Sequence, residues 1–134
     1  MVLSLLTARQ LGWPRERIDA LCSAALTMNL TILELQATMA EQSDPPTSRQ
    51  FDQIRAHPEG SAALLRELGI ADENWLAIVE QHHEQVGGSG YPRGRAEVIE
   101  PARVLRAADV YMAKISARAK RPAMLPQLAT LTLY

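Results

Sequence analysis

The sequence predicts an all-α protein, a compact bundle of about five main helices with no sheet. Three observations carry that prediction. Apolar residues recur at three- and four-residue spacing along most of the chain. Prolines and glycines cut this pattern into helix-sized lengths. No segment shows the alternating pattern, rich in β-branched residues, that a half-buried strand requires.

A first helix is expected over residues 2–11, stopped by Gly12. Pro14 suits the first turn of a long second helix. Ile18, Leu21, Ala25, Ile32, Leu35 and Met39 share one stripe of it, and Asp44, Pro45 and Pro46 end it. Thr47 with Gln50 reads as a capping box opening a third helix. Phe51, Ile54, Leu64, Leu65 and Leu68 form its apolar face, and Gly69 stops it. Pro58 lies inside it and is expected to kink or split it. Asp72 can cap a fourth helix carrying Trp75, Val79 and Val86. Residues 87–94 form a tight glycine loop ending in Tyr91-Pro92 and beyond. Pro101 opens a fifth helix running to about Ala117, and Pro122 and Pro126 bracket a short tail. Short connections between such helices make a bundle.

The length of 134 residues suits a single domain, residues 1–134, and 47% hydrophobic content suffices for a core. A formal net charge of −1 gives no signature of a nucleic-acid or membrane partner. The single cysteine, Cys22, allows no internal disulfide and fits a reducing compartment, so the expected location is cytoplasmic. No apolar run approaches the roughly 20 residues of a membrane span. The N-terminus lacks the basic start and cleavage site of a signal peptide.

Only three histidines occur, His57, His82 and His83, and none falls on the polar side of its predicted helix. His82 and His83 are adjacent, so within a helix their side chains diverge by about 100°. They then reach different metals or different sides of one site. Asp109 lies four residues after Leu105 and three before Met112, within an apolar stripe. A carboxylate there is costly unless paired or metal-bound. Three imidazoles and a carboxylate suit a borderline divalent ion such as zinc, iron or manganese. The alternatives are core histidines satisfied by hydrogen bonds and an Asp109 paired with Arg103 or Arg106. Lys114, Arg118 and Arg121 form a basic group that either complements the helix dipole or recognises phosphate. The glycine loop lacks the Gly-Lys-Ser/Thr ending of a P-loop, and no serine sits in a nucleophile elbow.

The pair His57-Pro58, the string QHHEQVGGSGYPRG and the stretch PARVLRAADVYMAKISARAKRPA resemble the HD-GYP domains, a branch of the HD phosphohydrolases. The resemblance runs from about Ala24 to Ala123. HHE followed by GxGYP at this distance is far more specific than any one short motif. Members of the family hydrolyse cyclic di-GMP with two or three metal ions, often iron or manganese. The resemblance implies an HD-domain-like bundle. It matches His57, His82, His83 and Asp109 to metal ligands, and Arg118 and Arg121 to phosphate contacts. Gly90, Tyr91 and Pro92 match the loop that walls the substrate cleft and meets protein partners.

The chain departs from the family where the family reads roughly ALLHDIGK. Here the text is ALTMNLTI, so Met28 and Asn29 replace the His-Asp doublet and Thr31-Ile32 replace Gly-Lys. No histidine precedes His57, where the family has further ligands, so the domain is expected to be truncated or incomplete at its N-terminus. Asn29 offers one neutral carbonyl oxygen and cannot bridge two cations as a carboxylate does. Met28 offers a soft thioether, unsuited to hard or borderline ions. One carboxylate against at least four positive charges is a poor balance for a dinuclear site, so at most one iron, manganese or zinc ion is expected, or none.

Three readings follow. The first is a degenerate HD-GYP signalling module that binds cyclic di-GMP, or a protein through the Gly90-Tyr91-Pro92 loop, without hydrolysis. The second is an active phosphodiesterase with a reduced metal site. The third is a structural or homodimerising piece of a larger regulator.

Overall fold

The computed structural model describes residues 1–119, and the tail read around Pro122 and Pro126 lies outside them. Among the described residues there are six α-helices, one 3-10 helix and no strand. They are α1 (Val2–Gln10), α2 (Arg15–Thr27), the 3-10 helix Leu30–Ile32, α3 (Leu33–Glu41), α4 (Ser48–Glu67), α5 (Glu73–Gln81) and α6 (Glu100–Ala119). The expected all-α bundle is the observed one.

Local chemistry sets most boundaries. Gly12 follows α1 with φ 71°, and Gly69 follows α4 with φ 93°, a left-handed conformation that other residues rarely adopt. The Thr47–Gln50 box forms in full. Gln50 N–H donates to Thr47 Oγ1 at 3.2 Å, and Gln50 Oε1 accepts from Thr47 N–H at 2.9 Å. Asp72 Oδ1 accepts from the amides of Asn74 and Trp75 and so starts α5. Thr47→Ala should cost about 1 kcal/mol. A urea midpoint unmoved by that change would show that the box contributes nothing.

The core lies where α5 packs against α2 and α4, with α6 closing over it. Leu21, Ala24, Met28, Leu65, Leu76, Ile78, Val79 and Leu105 are its centre. Met28 is thus an apolar filler of the core.

Three expectations about the elements need correction. The long second helix is broken. Apolar spacing continues through residues 28–32, but the backbone turns at Asn29 (φ −109°) into the 3-10 helix. Tertiary hydrogen bonds hold the turn. Thr31 N–H donates to Ser61 Oγ at 3.3 Å, the two hydroxyls lie 3.0 Å apart, and Thr31 Oγ1 donates to the His57 carbonyl at 3.4 Å. Gly60 allows this approach, since a Cβ there would meet Thr31 Oγ1 at 3.4 Å. Second, Pro58 does not split its helix, because α4 runs through it without interruption. Third, α5 stops at Gln81, so Val86 is exposed in the loop and the two adjacent histidines follow the helix instead of lying in it.

The segment Arg15–Glu41 is long and apolar enough, by length and composition, to cross a membrane. In the fold it is not one continuous α-helix but α2, a 3-10 helix and α3.

Candidate metal centre

His57, His82 and His83 come together in the interior, all three buried, with one ring nitrogen from each within 4.8 Å of the others. His57 comes from the middle of α4, His82 is the C-cap of α5, and His83 is the next residue. The ring centroids lie 4.2 Å apart for His82–His83 and 5.0 Å for each pair with His57. The divergence expected of neighbours within a helix does not apply beyond its end, so both reach one point.

Backbone carbonyls fix two of the rings. His57 Nδ1 lies 2.5 Å from the Ile54 carbonyl, and His82 Nδ1 lies 2.6 Å from the Val79 carbonyl. A carbonyl only accepts, so each Nδ1 carries the proton and each Nε2 a lone pair. The two Nε2 atoms face each other at 3.1 Å. With both Nδ1 protons engaged, a hydrogen bond between them needs one ring to be an imidazolium. Burial opposes that. It lowers His57 to about 4, and burial together with the neighbouring His57 lowers His82 to about 3. Burial, then His82, His57 and Arg106, holds His83 well below the usual histidine range. Three neutral imidazoles therefore converge, with the His57 and His82 lone pairs opposed. Two nitrogens sharing one ion at the usual 2.0–2.1 Å sit about 3.3 Å apart in tetrahedral geometry, close to the observed separation.

A sign follows for acid stability of the metal-free protein. Unfolded histidines titrate near 6.5, whereas folded His57 and His82 do so near 4 and 3. Between these values the unfolded chain holds more protons, so folding stability should fall as pH drops from 6.5 toward about 4. The slope approaches about 1.4 kcal/mol per pH unit for each of His57 and His82. Chemical denaturation at pH 7, 6 and 5 with chelator present measures it, and a flat profile would contradict burial in the neutral form.

Asp109, half-buried on α6, lines a cavity of about 290 Å³ together with His57, His83 and Asn29. Burial pushes its carboxyl above the usual range, and Arg106 opposes that shift. The far wall is apolar, with Leu35 and Met39 of α3 and Met112 of α6. Asn29 therefore occupies the site position, while Met28 turns into the core. Lys114 is exposed, and neither lysine nor arginine lines the cavity among the described residues. Of Arg118 only its place in the last turn of α6 is described, and Arg121 lies outside the described residues.

Sequence reasoning gave Glu84 no role. Its buried carboxylate accepts from Arg93 N–H through Oε1 at 2.8 Å and from Arg95 N–H through Oε2 at 2.9 Å. It clamps the glycine loop onto the histidines. Tyr91 N–H donates to the His83 carbonyl at 3.2 Å, and the Tyr91 ring stacks on His83 at 4.7 Å and 18°. Gly90 lies so close to residues 83–85 that no side chain fits. The signal was the one-residue step from His83 to Glu84, which reads as a charged surface position unless the loop folding back over it is known.

The profile of the HD domain family matches residues 2–133, extending the resemblance to nearly the whole chain. The chain is 37% identical over 86 residues to a cyclic di-GMP phosphodiesterase of Vibrio cholerae, covering 58% of this chain and 17% of that protein. It is 27% identical over 118 residues to a cyclic di-GMP phosphodiesterase of Pseudomonas aeruginosa, covering 87% and 28%. It is 28% identical over 132 residues to a cyclic di-GMP phosphodiesterase response regulator of Xanthomonas campestris pv. campestris, covering 96% and 35%. The chain thus spans about a third or less of the length of these relatives. No solved structure matches it. With the family profile spanning the chain, and His82-His83-Glu84 folded against Gly90-Tyr91-Pro92 as one unit, this chain belongs to the HD domain family, in its HD-GYP branch.

Proposed function

We propose that this domain acts in cyclic-dinucleotide signalling as a module that holds one divalent ion and binds cyclic di-GMP without efficient hydrolysis. The observation that carries the reading is the pair of opposed Nε2 lone pairs 3.1 Å apart beside His83, a donor set that asks for a cation. Three neutral imidazoles with Asp109 across the cavity suit iron, manganese or zinc. An ion bound there supplies Lewis acidity toward a phosphate oxygen.

The chain's own residues argue against a second ion. Asn29 brings no charge to the position where the family has its bridging carboxylate. Glu84 is near in sequence, but both its oxygens are engaged by the loop amides. Asp109 is then the one carboxylate among the described residues lining the cavity. At about 290 Å³ the cavity is at the small end of ligand pockets, so it takes part of a dinucleotide and leaves the remainder outside. Arg118 and Arg121 follow Ser116, which lines the cavity, and are the candidates for phosphate contact. Gly90, Tyr91 and Pro92 are the candidates for a protein contact. The lone Cys22 fits a cytoplasmic setting.

Elemental analysis should find close to one equivalent of transition metal. Titration with cyclic di-GMP should give saturable binding, weakened by Arg118→Ala. Turnover with iron, manganese or zinc, supplied aerobically and anaerobically, should be slight. Metal-dependent turnover comparable to that of an intact family member would establish the active-enzyme reading instead. Absence of both metal and nucleotide binding would leave the structural or dimerising role.

A further inference from the structure

We infer that Pro58 is a positioning residue, which frees the Ile54 carbonyl to hold His57 with its Nε2 aimed at His82. In an α-helix the amide of residue 58 bonds the carbonyl of residue 54. Proline has no N–H, and its ring crowds the carbonyl four residues back. The Ile54 carbonyl, inside α4, is thereby left without its helical donor. His57 Nδ1 takes that place at 2.5 Å. This explains why a 20-residue helix keeps a buried proline at its middle. It also explains why the proline directly follows the histidine. The side chain of residue 57 can reach back to carbonyl 54, and residue 58 is the position whose amide competes for it.

The same device recurs on α5 by other means. That helix ends at Gln81, which leaves the Val79 carbonyl among the unpaired groups of a helix end. His82 Nδ1 takes it at 2.6 Å. Both rings thus acquire the same tautomer, one from a proline within a helix and one from a helix terminus. A ligand imidazole whose other nitrogen is held in this way is fixed in orientation and made a better donor.

The affinity arm of the test rests on the metal-site reading, whereas the tautomer arm does not. Pro58→Ala restores the amide and adds a good helix former, which offsets part of the packing lost with the buried ring. In nitrogen-15 spectra of histidine-labelled, metal-free protein, the parent His57 should be protonated at Nδ1 alone. Pro58→Ala should show His57 exchanging between tautomers. Zinc affinity, by competition with a chromophoric chelator, should fall about 10- to 100-fold. Pro58→Ser, which also restores the amide, should repeat the result if the alanine variant folds poorly. An unchanged single tautomer in a folded variant overturns the inference, whether or not zinc binds. If the parent binds no zinc, the metal reading fails, and the spectra still decide the role of Pro58.

Discussion

Replacing His82 by alanine should remove metal binding, with affinity falling by more than the roughly 100-fold that an outer-shell change costs. His82 packs against both other rings of the cluster. Its Nε2 faces that of His57 at 3.1 Å, and its ring lies 4.2 Å from His83. The remaining pair is held apart, His57 by the Ile54 carbonyl on α4 and His83 by its stack on Tyr91. Loss of His82 also strands the buried Val79 carbonyl, which costs about 1–3 kcal/mol and works against any relief from removing the opposed lone pairs. Chelator competition measures the first effect and urea denaturation with chelator the second. Zinc affinity equal to that of the parent would remove His82 from the site.

Gly90→Ala should be the most damaging single change in the loop. A Cβ at position 90 would lie 2.4 Å from Gln85 N, 2.5 Å from the His83 oxygen and 2.6 Å from Glu84 Cα. All three are backbone atoms, so no side-chain rotation relieves the clash. The loop must lift, which breaks the Tyr91 amide bond to His83, disturbs the stack on its ring and strains the two amide bonds to Glu84. Overpacking and loss of charge-assisted hydrogen bonds together should cost about 3 kcal/mol or more. Gly87→Ala provides the contrast. That residue has φ 94° but open space around its missing Cβ. It should cost only about 1 kcal/mol, from the backbone alone. Equal urea midpoints for the two variants would mean that the loop is not held where the structure has it.

The helices were legible because their caps and apolar spacing are local. Thr47, Asp72 and Gly69 each act within three residues, and each does what its type predicts. The break at residues 28–32 was not legible, since the bonds that make it come from Ser61 and the His57 carbonyl, about thirty residues away. The end of α5 was missed for a similar reason. Val86 continues the spacing numerically, but the chain has turned at His82 to bring the glycine loop back. Their place on helix faces and the family resemblance both singled out the three histidines, and the fold brings them together. Neither could identify the carbonyls that orient His57 and His82, because any residue type supplies a carbonyl. Glu84 escaped notice because its partners are the amides of Arg93 and Arg95, which have no signature in a sequence.

The facing nitrogens of His57 and His82 have a consequence for the domain's supply chain as well as its chemistry. Opposed lone pairs in an interior repel each other, and under the one-ion function proposed above a cation between them would relieve that repulsion. An ion that binds the folded chain alone adds RT ln(1 + [L]/Kd), about 2.7 kcal/mol at a hundredfold excess over Kd. That is a sizeable share of the 5–15 kcal/mol that holds a typical domain together. Under that proposal, mass action would tie the amount of intact protein to the free metal concentration around it, and starvation for the ion would deplete the fold along with the site.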